Sequence, residues 1–456
     1  MTALVWLTRD LRVRDHPPLR AALDAHDRVV SVFCLDDRLL HGRHASGPRT
    51  QFLLDALHDL DGALRERGGG LIVRHGPPEE ELARLALDTG ADAVYCSADA
   101  GPFARARAQR VRAALADAGA ALKARPGLFA VDDVGALRTQ AGRPYVVFSP
   151  FHRAWLAAPR RAVLGAPRAL PPLPARVRKG RIPSLDALGL ASDVADAPRG
   201  GEAEARRRAA AFTAGPAARY PEQTSRLSPY LHLGCISPRE LEERKLPGAF
   251  RRQLAWRDFY HHVLLHHPGN ARRAHQPRYR GLRWSRSRRR FDAWCAGQTG
   301  FPYVDAGMRQ LQREGWMPNR VRLVVGSFLT KDLWLDWRWG ERWFMRHLVD
   351  GDEANNNGNW QWIASVGTDP APPFRRLYNP ARHQERYDPD GSYVRRWVPE
   401  LARVPAALLS EPWRMSDEEQ EAAGCVIGRD YPEPIVDHAA ARREALARFA
   451  EARQTN

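Results

Sequence analysis

"ALVWL" (Ala3–Leu7), "RVVSVFCL" (Arg28–Leu35), "GLIVRHG" (Gly70–Gly76) and "DAVYCSAD" (Asp92–Asp99) are short apolar runs near the start of the chain. Each is rich in β-branched or aromatic residues and too short for a buried helix, so each reads as a strand. Between them lie amphipathic stretches such as "RTQFLLDALHDLDGALRERG" (Arg49–Gly68) and "EEELARLALDTG" (Glu79–Gly90). Alternation of strand and helix predicts a parallel sheet with helices on both faces, a Rossmann-like α/β domain. No G-x-G-x-x-G or Walker loop follows any of the strands, which argues against a conventional dinucleotide or nucleoside triphosphate site there.

Downstream, residues 131–198 are rich in Pro, Gly, Arg and small residues, as in "LGAPRALPPLPARVRKGRIPSLDALG" (Leu164–Gly189). They read as a long connector crossing the surface. From residue 199 the β signal fades and helical patterns dominate, for example "FRRQLAWRDFYHHVLLHHP" (Phe250–Pro268) and "NRVRLVVGSFLTKDLWLDW" (Asn319–Trp337). Twelve of the 14 tryptophans fall between Trp256 and Trp413. The expected organisation is an α/β domain over 1–130, a connector over 131–198 and an all-α, indole-rich domain over 199–456.

The 456 residues are enough for two or three domains with real cores. Hydrophobic residues are 44% of the chain and no apolar run reaches the length of a membrane span. The N-terminus lacks a small-residue cleavage site and reads as a buried first strand. The five cysteines (Cys34, Cys96, Cys235, Cys295, Cys425) form no C-x-x-C pair. They fit reduced packing residues of a cytoplasmic protein, not a metal site. A net charge of +17 points to a polyanionic partner, although only four of 70 basic residues are lysine, as a GC-rich genome would also produce. More specific is "RYRGLRWSRSRRR" (Arg278–Arg290), with seven arginines beside a Trp and a Tyr. Such a run is either a solvated face or a phosphate-neutralising patch.

Two stretches carry the chemistry. "TSRLSPYLHLGCISPRE" (Thr224–Glu240) places hydroxyls and an arginine at a turn or helix start, which is either an N-cap or an anion site. "DGDEANNNGNWQWIASVGTD" (Asp350–Asp369) packs acids, four asparagines and two tryptophans together. Asparagine favours caps and turns over helix interiors, so this stretch reads as more than a plain helix. With "QLAWRDFYHHV" (Gln253–Val263), "TGFPYVDAGMRQLQREGWMPNR" (Thr299–Arg320), "NPARHQERYDPDGSYVRRWVPEL" (Asn379–Leu401) and "YPEPIVDH" (Tyr431–His438), these follow one another in a fixed order. From "VWLTRDLRVRDHPPL" (Val5–Leu19) to the C-terminus the chain resembles the photolyase/cryptochrome flavoprotein family, class I type, over essentially its full length.

The resemblance implies an antenna domain, a connector and a helical domain holding FAD in a folded, U-shaped conformation. It places Asn356 opposite flavin N5, pairs Asp350 with Arg322, and has Asp352 hydrogen-bond the flavin. Tyr220, Thr224, Ser225, Arg226, Leu227, Ser228 and Arg257 complete the cofactor set. Trp360, Trp337 and Trp284 match a three-indole electron relay running from the flavin to the surface, where packing is the plain alternative for each indole. The substrate implied is UV-damaged DNA, single- or double-stranded, with a dimer flipped out of the helix. Its matching contacts are Gln253, Trp256, Tyr260, Asn319, Arg320, Leu323, Trp362, Arg375 and Arg386.

Three positions depart from the commonest dimer-repair pattern: Gln253 stands for Glu, Leu323 for Met and Pro318 for His. The carboxamide of Gln253 loses an ionisable proton, which predicts weaker assistance to the dimer and not loss of activity. Absence of a histidine at Pro318 disfavours (6-4) photoproduct repair, and His261 and His262 read as structural. The segment before Thr224 is shorter than usual. For a second, light-harvesting chromophore the sequence looks more like deazaflavin binders than methenyltetrahydrofolate binders, with Arg49 and Asp99 as contacts or Pro102 simply starting a helix. The expected activity is light-driven repair of cyclobutane pyrimidine dimers by a monomeric protein of the bacterial cytosol or nucleoid. The alternative is a cryptochrome-type blue-light receptor, which often carries a C-terminal extension that this sequence does not show.

Overall fold

The computed structural model describes residues 1–212, 224–244 and 246–454. Five parallel strands, β1 (Thr2–Leu7), β2 (Arg28–Leu35), β3 (Leu71–His75), β4 (Ala91–Ser97) and β5 (Ala121–Arg125), form one sheet in the order β3-β2-β1-β4-β5. The central strand is buried on both faces. Ala3, Val5 and Leu7 point into one apolar cluster, while Leu4 and Trp6 point into another with Leu82, Leu85 and Val111. Burial on both sides is why β1 reads as a continuous apolar run with no alternation. The fifth strand, "ALKAR", escapes sequence reading because it is a half-exposed edge with two cations and little apolar content.

The strand order reverses between β1 and β4, and in open α/β sheets that crevice beyond the carboxyl ends is where ligands bind. Here it is filled by protein. Arg9 follows β1 and Asp99 follows β4; they pair at 3.0 Å, and Arg9 reaches on to Asp352 of the helical part at 2.5 Å.

Residues 131–198 do more than cross the surface. They include a helix, Phe148–Ala157, that buries Phe148, Phe151 and Trp155, and the Trp155 indole N–H donates to Asp258 at 3.0 Å. Farther on, the Lys179 carbonyl accepts from the Val73 N–H at 2.8 Å, so the connector covers the β3 edge. The remaining chain is helical. One apolar cluster runs from the sheet into the Gly248–His266 helix through Leu254, Phe259 and Val263, so the cores of the two parts are continuous. A second cluster centres on the Pro302–Glu314, Asn319–Ser327 and Trp337–His347 helices.

Among the described residues no helix is long and apolar enough to cross a membrane, and no group of His, Cys, Asp and Glu could hold a metal ion. All five cysteines are free and buried.

Candidate functional site

The Gly248–His266, Asn319–Ser327 and Glu353–Ile363 helices, with residues 224–228, wall a cavity of about 1320 Å³. A single drug-sized ligand needs roughly 300–1,000 Å³, so there is room for more than one occupant. Of the residues singled out by sequence, Thr224, Ser225, Arg226, Leu227, Ser228, Arg257, Arg322, Asp350, Asp352, Asn356 and Trp360 line it. So do Gln253, Trp256, Tyr260, Asn319, Arg320, Leu323 and Trp362. Trp337, Trp284, Arg375, Arg386, Arg49 and Asp99 are not on its wall. Tyr220 lies outside the described residues.

Arg322 donates to the Asp350 carboxylate at 2.9 Å and to the Met317 carbonyl at 2.7 Å. Among the described residues, the second Asp350 oxygen, Oδ1, has no partner and is buried. A buried acceptor left open is costly, about 1–3 kcal/mol, unless a ligand donor meets it. Asn356 donates from Nδ2 to the Glu341 carbonyl at 2.9 Å. A carbonyl can only accept, so the amide nitrogen is fixed there and Oδ1 is left for the cavity. Arg226 has φ of 49°, lies 4.6 Å over the Trp316 ring and pairs with Glu314 at 3.1 Å. Acceptors on one wall, and arginine with the Thr224 and Ser225 hydroxyls on another, suit a ligand combining a ring N–H donor with phosphates. FAD is such a ligand.

Two expected cofactor residues are already heavily engaged. Arg257 donates to the Leu128 carbonyl at 2.8 Å and the Leu231 carbonyl at 3.3 Å, stapling the sheet domain's exit to the helices. Asp352 is a hub. It caps the Glu353–Ile363 helix by accepting from the Asn355 N–H at 2.9 Å, binds Arg9, and has His232 and His261 at 3.5 and 3.3 Å. Burial works to raise its pKa, but His261, His232 and Arg9 outweigh this and hold the carboxyl well below the ordinary range. Burial also depresses Arg9, yet Asp99 and Asp352 more than reverse that and keep it charged. Arg9, His232 and His261 carry no sequence signal for this role: Arg9 and Asp352 are 343 residues apart.

Elsewhere on the cavity wall, Trp256 stacks on Phe148 with ring centroids 3.6 Å apart and planes 5° off parallel. Arg376 lies 3.5 Å over Trp362, and Arg320 and Arg386 lie 4.3 and 5.2 Å over Tyr387. Gln253 is exposed, as are Asn319 and Arg375, while Leu323 is half-buried. The Tyr260 hydroxyl donates to Asn359 at 3.3 Å. His262 is structural: Nδ1 meets the Val134 carbonyl at 2.7 Å and Nε2 accepts from the Tyr145 N–H at 3.0 Å.

Trp360 and Trp337 are buried and Trp284 is half-buried. Trp360 contacts the rings of Phe344 and Trp294, at 5.0 and 6.3 Å, and Trp284 contacts Trp334 at 4.8 Å. A Cβ at Gly340 would run into the Trp360 indole, so glycine is what lets the indole settle on the Trp337–His347 helix. Arg49 and Asp99 are engaged at the domain boundary. Arg49 donates to the Met345 and Leu348 carbonyls at 2.8 and 3.1 Å, and Asp99 holds Arg9.

Residues 3–175 match the family model for DNA photolyase, and residues 250–451 match that for the FAD binding domain of DNA photolyase. A deoxyribodipyrimidine photo-lyase of Streptomyces griseus is 42% identical over 99% of each chain. A cryptochrome DASH of Natronomonas pharaonis is 36% identical over 96% of this chain and 98% of its own. The crystal structure of a class III photolyase from Agrobacterium tumefaciens superposes with a TM-score of 0.91 at 34% identity, covering 99% of this chain and 98% of that one. With both family models matched and the folds superposing end to end, the chain belongs to the DNA photolyase family and carries its FAD-binding domain.

Proposed function

We propose that the protein repairs cyclobutane pyrimidine dimers in UV-damaged DNA using light. The observation that carries this reading is one continuous cavity, whose wall takes in the described cofactor candidates and the aromatic lesion candidates Trp256, Tyr260 and Trp362 together. Reduced FAD held there would supply light-driven one-electron chemistry for opening the cyclobutane ring, with no net redox change. Asp350 Oδ1 and Asn356 Oδ1 would hold the cofactor's ring donors, with Arg322 fixing Asp350 in place, and Thr224, Ser225 and Arg226 would hold its phosphates. Asp352 acts mainly by fixing the Glu353–Ile363 helix, since its oxygens are taken up by protein donors.

Trp256, braced by Phe148, and Trp362, covered by Arg376, give the extruded bases apolar faces to stack on. Asn319, Arg320, Arg375 and Arg386 supply the flanking phosphate contacts. Gln253 offers the bases one donor and one acceptor. Trp360 on the cavity wall, Trp337 and Trp284 relay electrons between the cavity and the surface. A second, light-harvesting chromophore accompanies FAD, of deazaflavin type in preference to methenyltetrahydrofolate. Its candidate contacts Arg49 and Asp99 already share hydrogen bonds with the Met345 and Leu348 carbonyls and with Arg9.

Purified, reduced protein illuminated with a dimer-containing oligonucleotide should restore absorbance in the thymine band. Persistence of bound dimer under light overturns the repair reading. It would favour the receptor reading suggested by the cryptochrome DASH relative.

A further inference from the structure

The arginine-rich run Arg278–Arg290 is not used by the cavity, and it leads into the Arg288–Ala296 helix. That helix packs on the Trp337–His347 helix through Phe291, whose ring lies 5.1 Å from Trp339 and 6.1 Å from Trp343. Trp339 and Trp343 are half-buried on the outer side of their helix, between Arg338, Arg342 and Arg346. Residues four apart on a helix rise by about 6 Å, so these three arginines form a row. Arg288 of the neighbouring run lies 5.9 Å over the Trp339 ring. Arg283, Arg286 and Arg289 belong to that run and are exposed, as are Arg342 and Arg346.

The cations of this face are largely unopposed. Arg288 pairs with Asp292 at 3.3 Å and Arg338 with Asp336 at 3.1 Å. Among the described residues, the five exposed arginines Arg283, Arg286, Arg289, Arg342 and Arg346 have no ion-pair partner, whereas many other surface arginines of this chain do. Unopposed cations repel one another and draw in counter-ions. The face also points away from the cavity, which meets the Trp337–His347 helix at Phe344 on its opposite, buried side.

We propose that this face is a second DNA-binding surface, which holds the backbone of undamaged duplex without reading sequence while the cavity remains open for a lesion. A row of guanidinium groups along one helix, beside an arginine-rich segment leading into the next, suits a repeating polyanion, and release of its condensed cations drives such binding. Arginine's planar fork adds bidentate phosphate geometry.

The test compares wild-type holoprotein with the quadruple variant Arg286→Gln, Arg289→Gln, Arg342→Gln, Arg346→Gln, and with the same four positions changed to Lys. Each is titrated with undamaged duplex over a salt series, and separately with a short single-stranded oligonucleotide containing one dimer. For the Gln variant, affinity for undamaged duplex should fall at least ~10-fold, and the log–log salt slope should flatten by about 0.9 for each phosphate no longer neutralised. Lesion-oligonucleotide affinity and FAD content should hold, and the Lys variant should recover most of the slope. An unchanged slope overturns the proposal. Parallel weakening of both DNA ligands does so too, since the two faces would then be one interface. Failure of Lys to restore binding would instead assign the arginines to packing. Binding of anionic phosphatidylserine vesicles in preference to duplex would replace DNA by a membrane surface. Failure of wild-type protein to favour the lesion oligonucleotide over undamaged strand would count against the dimer reading and leave the second face standing.

Discussion

Asn356 is the residue where hydrogen-bond logic says most about redox chemistry. An amide beside a flavin could in principle turn to suit either a donor or an acceptor. Here the Glu341 carbonyl removes that freedom by claiming the NH₂ group, so the cavity meets an oxygen. An oxygen favours a protonated ring nitrogen, hence the reduced cofactor that the proposed chemistry requires, and adds no charge against it. Asn356→Asp would set a carboxylate against the Glu341 carbonyl and direct negative charge at the ring. With FAD bound, the midpoint potential should drop, by about 30 mV for every tenfold loss of preference for the two-electron reduced form. Spectroelectrochemical titration reads this directly, and an unchanged or higher potential would show that Asn356 faces something else. A place for Asn356 on the cavity wall was legible from its motif; the fixed direction of its amide was not, because it depends on a backbone carbonyl from another helix.

The Glu353–Ile363 helix shows the same limit at the next scale. Four asparagines and a glycine are poor helix formers, and their composition suggests caps and turns. They nevertheless lie inside a helix, where their amides find local partners. Asn355 donates to Asp352 at 2.7 Å, Asn359 to the Asn355 carbonyl at 2.8 Å, and Asn357 accepts from Gln361 at 3.0 Å. Gly358 is where the Tyr260 ring presses on the helix, at a point where any Cβ would clash. At the far end, buried Lys331 donates to the Ile363 carbonyl at 3.1 Å and to Ser365 at 3.2 Å. With weak intrinsic propensity, the helix depends on its two anchors, and Asp352 is the stronger. Asp352→Ala removes an N-cap and leaves the half-buried Arg9 with only Asp99. Losing one partner of a buried ion pair typically costs about 3–5 kcal/mol. Denaturant unfolding of the FAD-free protein should show a loss of that order. A change below ~1 kcal/mol, the value of a cap alone, would mean that the pair to Arg9 contributes nothing net.

For the whole molecule, the question is what makes sheet, connector and helices one body. The α/β alternation and the helical second half were readable from periodicity. The joints were not, since they pair groups far apart in sequence: Arg9 with Asp352, Arg49 with Leu348, and His262 with Val134 and Tyr145. The last of these gives the assembly an acid limit. Nδ1 of His262 donates and Nε2 accepts, which fixes the neutral ring; a second proton would point at the Tyr145 N–H. Burial pushes the His262 pKa down from 6.5 to about 4, only partly opposed by the Val134 carbonyl. Neighbouring His266, Arg138 and His267 push the same way as burial. Because the folded pKa lies below the unfolded one, stability from neutral His262 is complete above about 6.5 and is lost as pH falls toward 4. Carboxylates such as Asp10 and Asp15, held down to about 2, lose their contribution only at lower pH, so the two groups act in separate windows. Tm should therefore decline between pH 7 and 5. His262→Gln should lower Tm at pH 7 and flatten that decline, because glutamine can hold a donor and an acceptor in place without titrating. Parallel Tm–pH curves for the two proteins would remove His262 from the acid limit and leave the joint to contacts that do not titrate in this range.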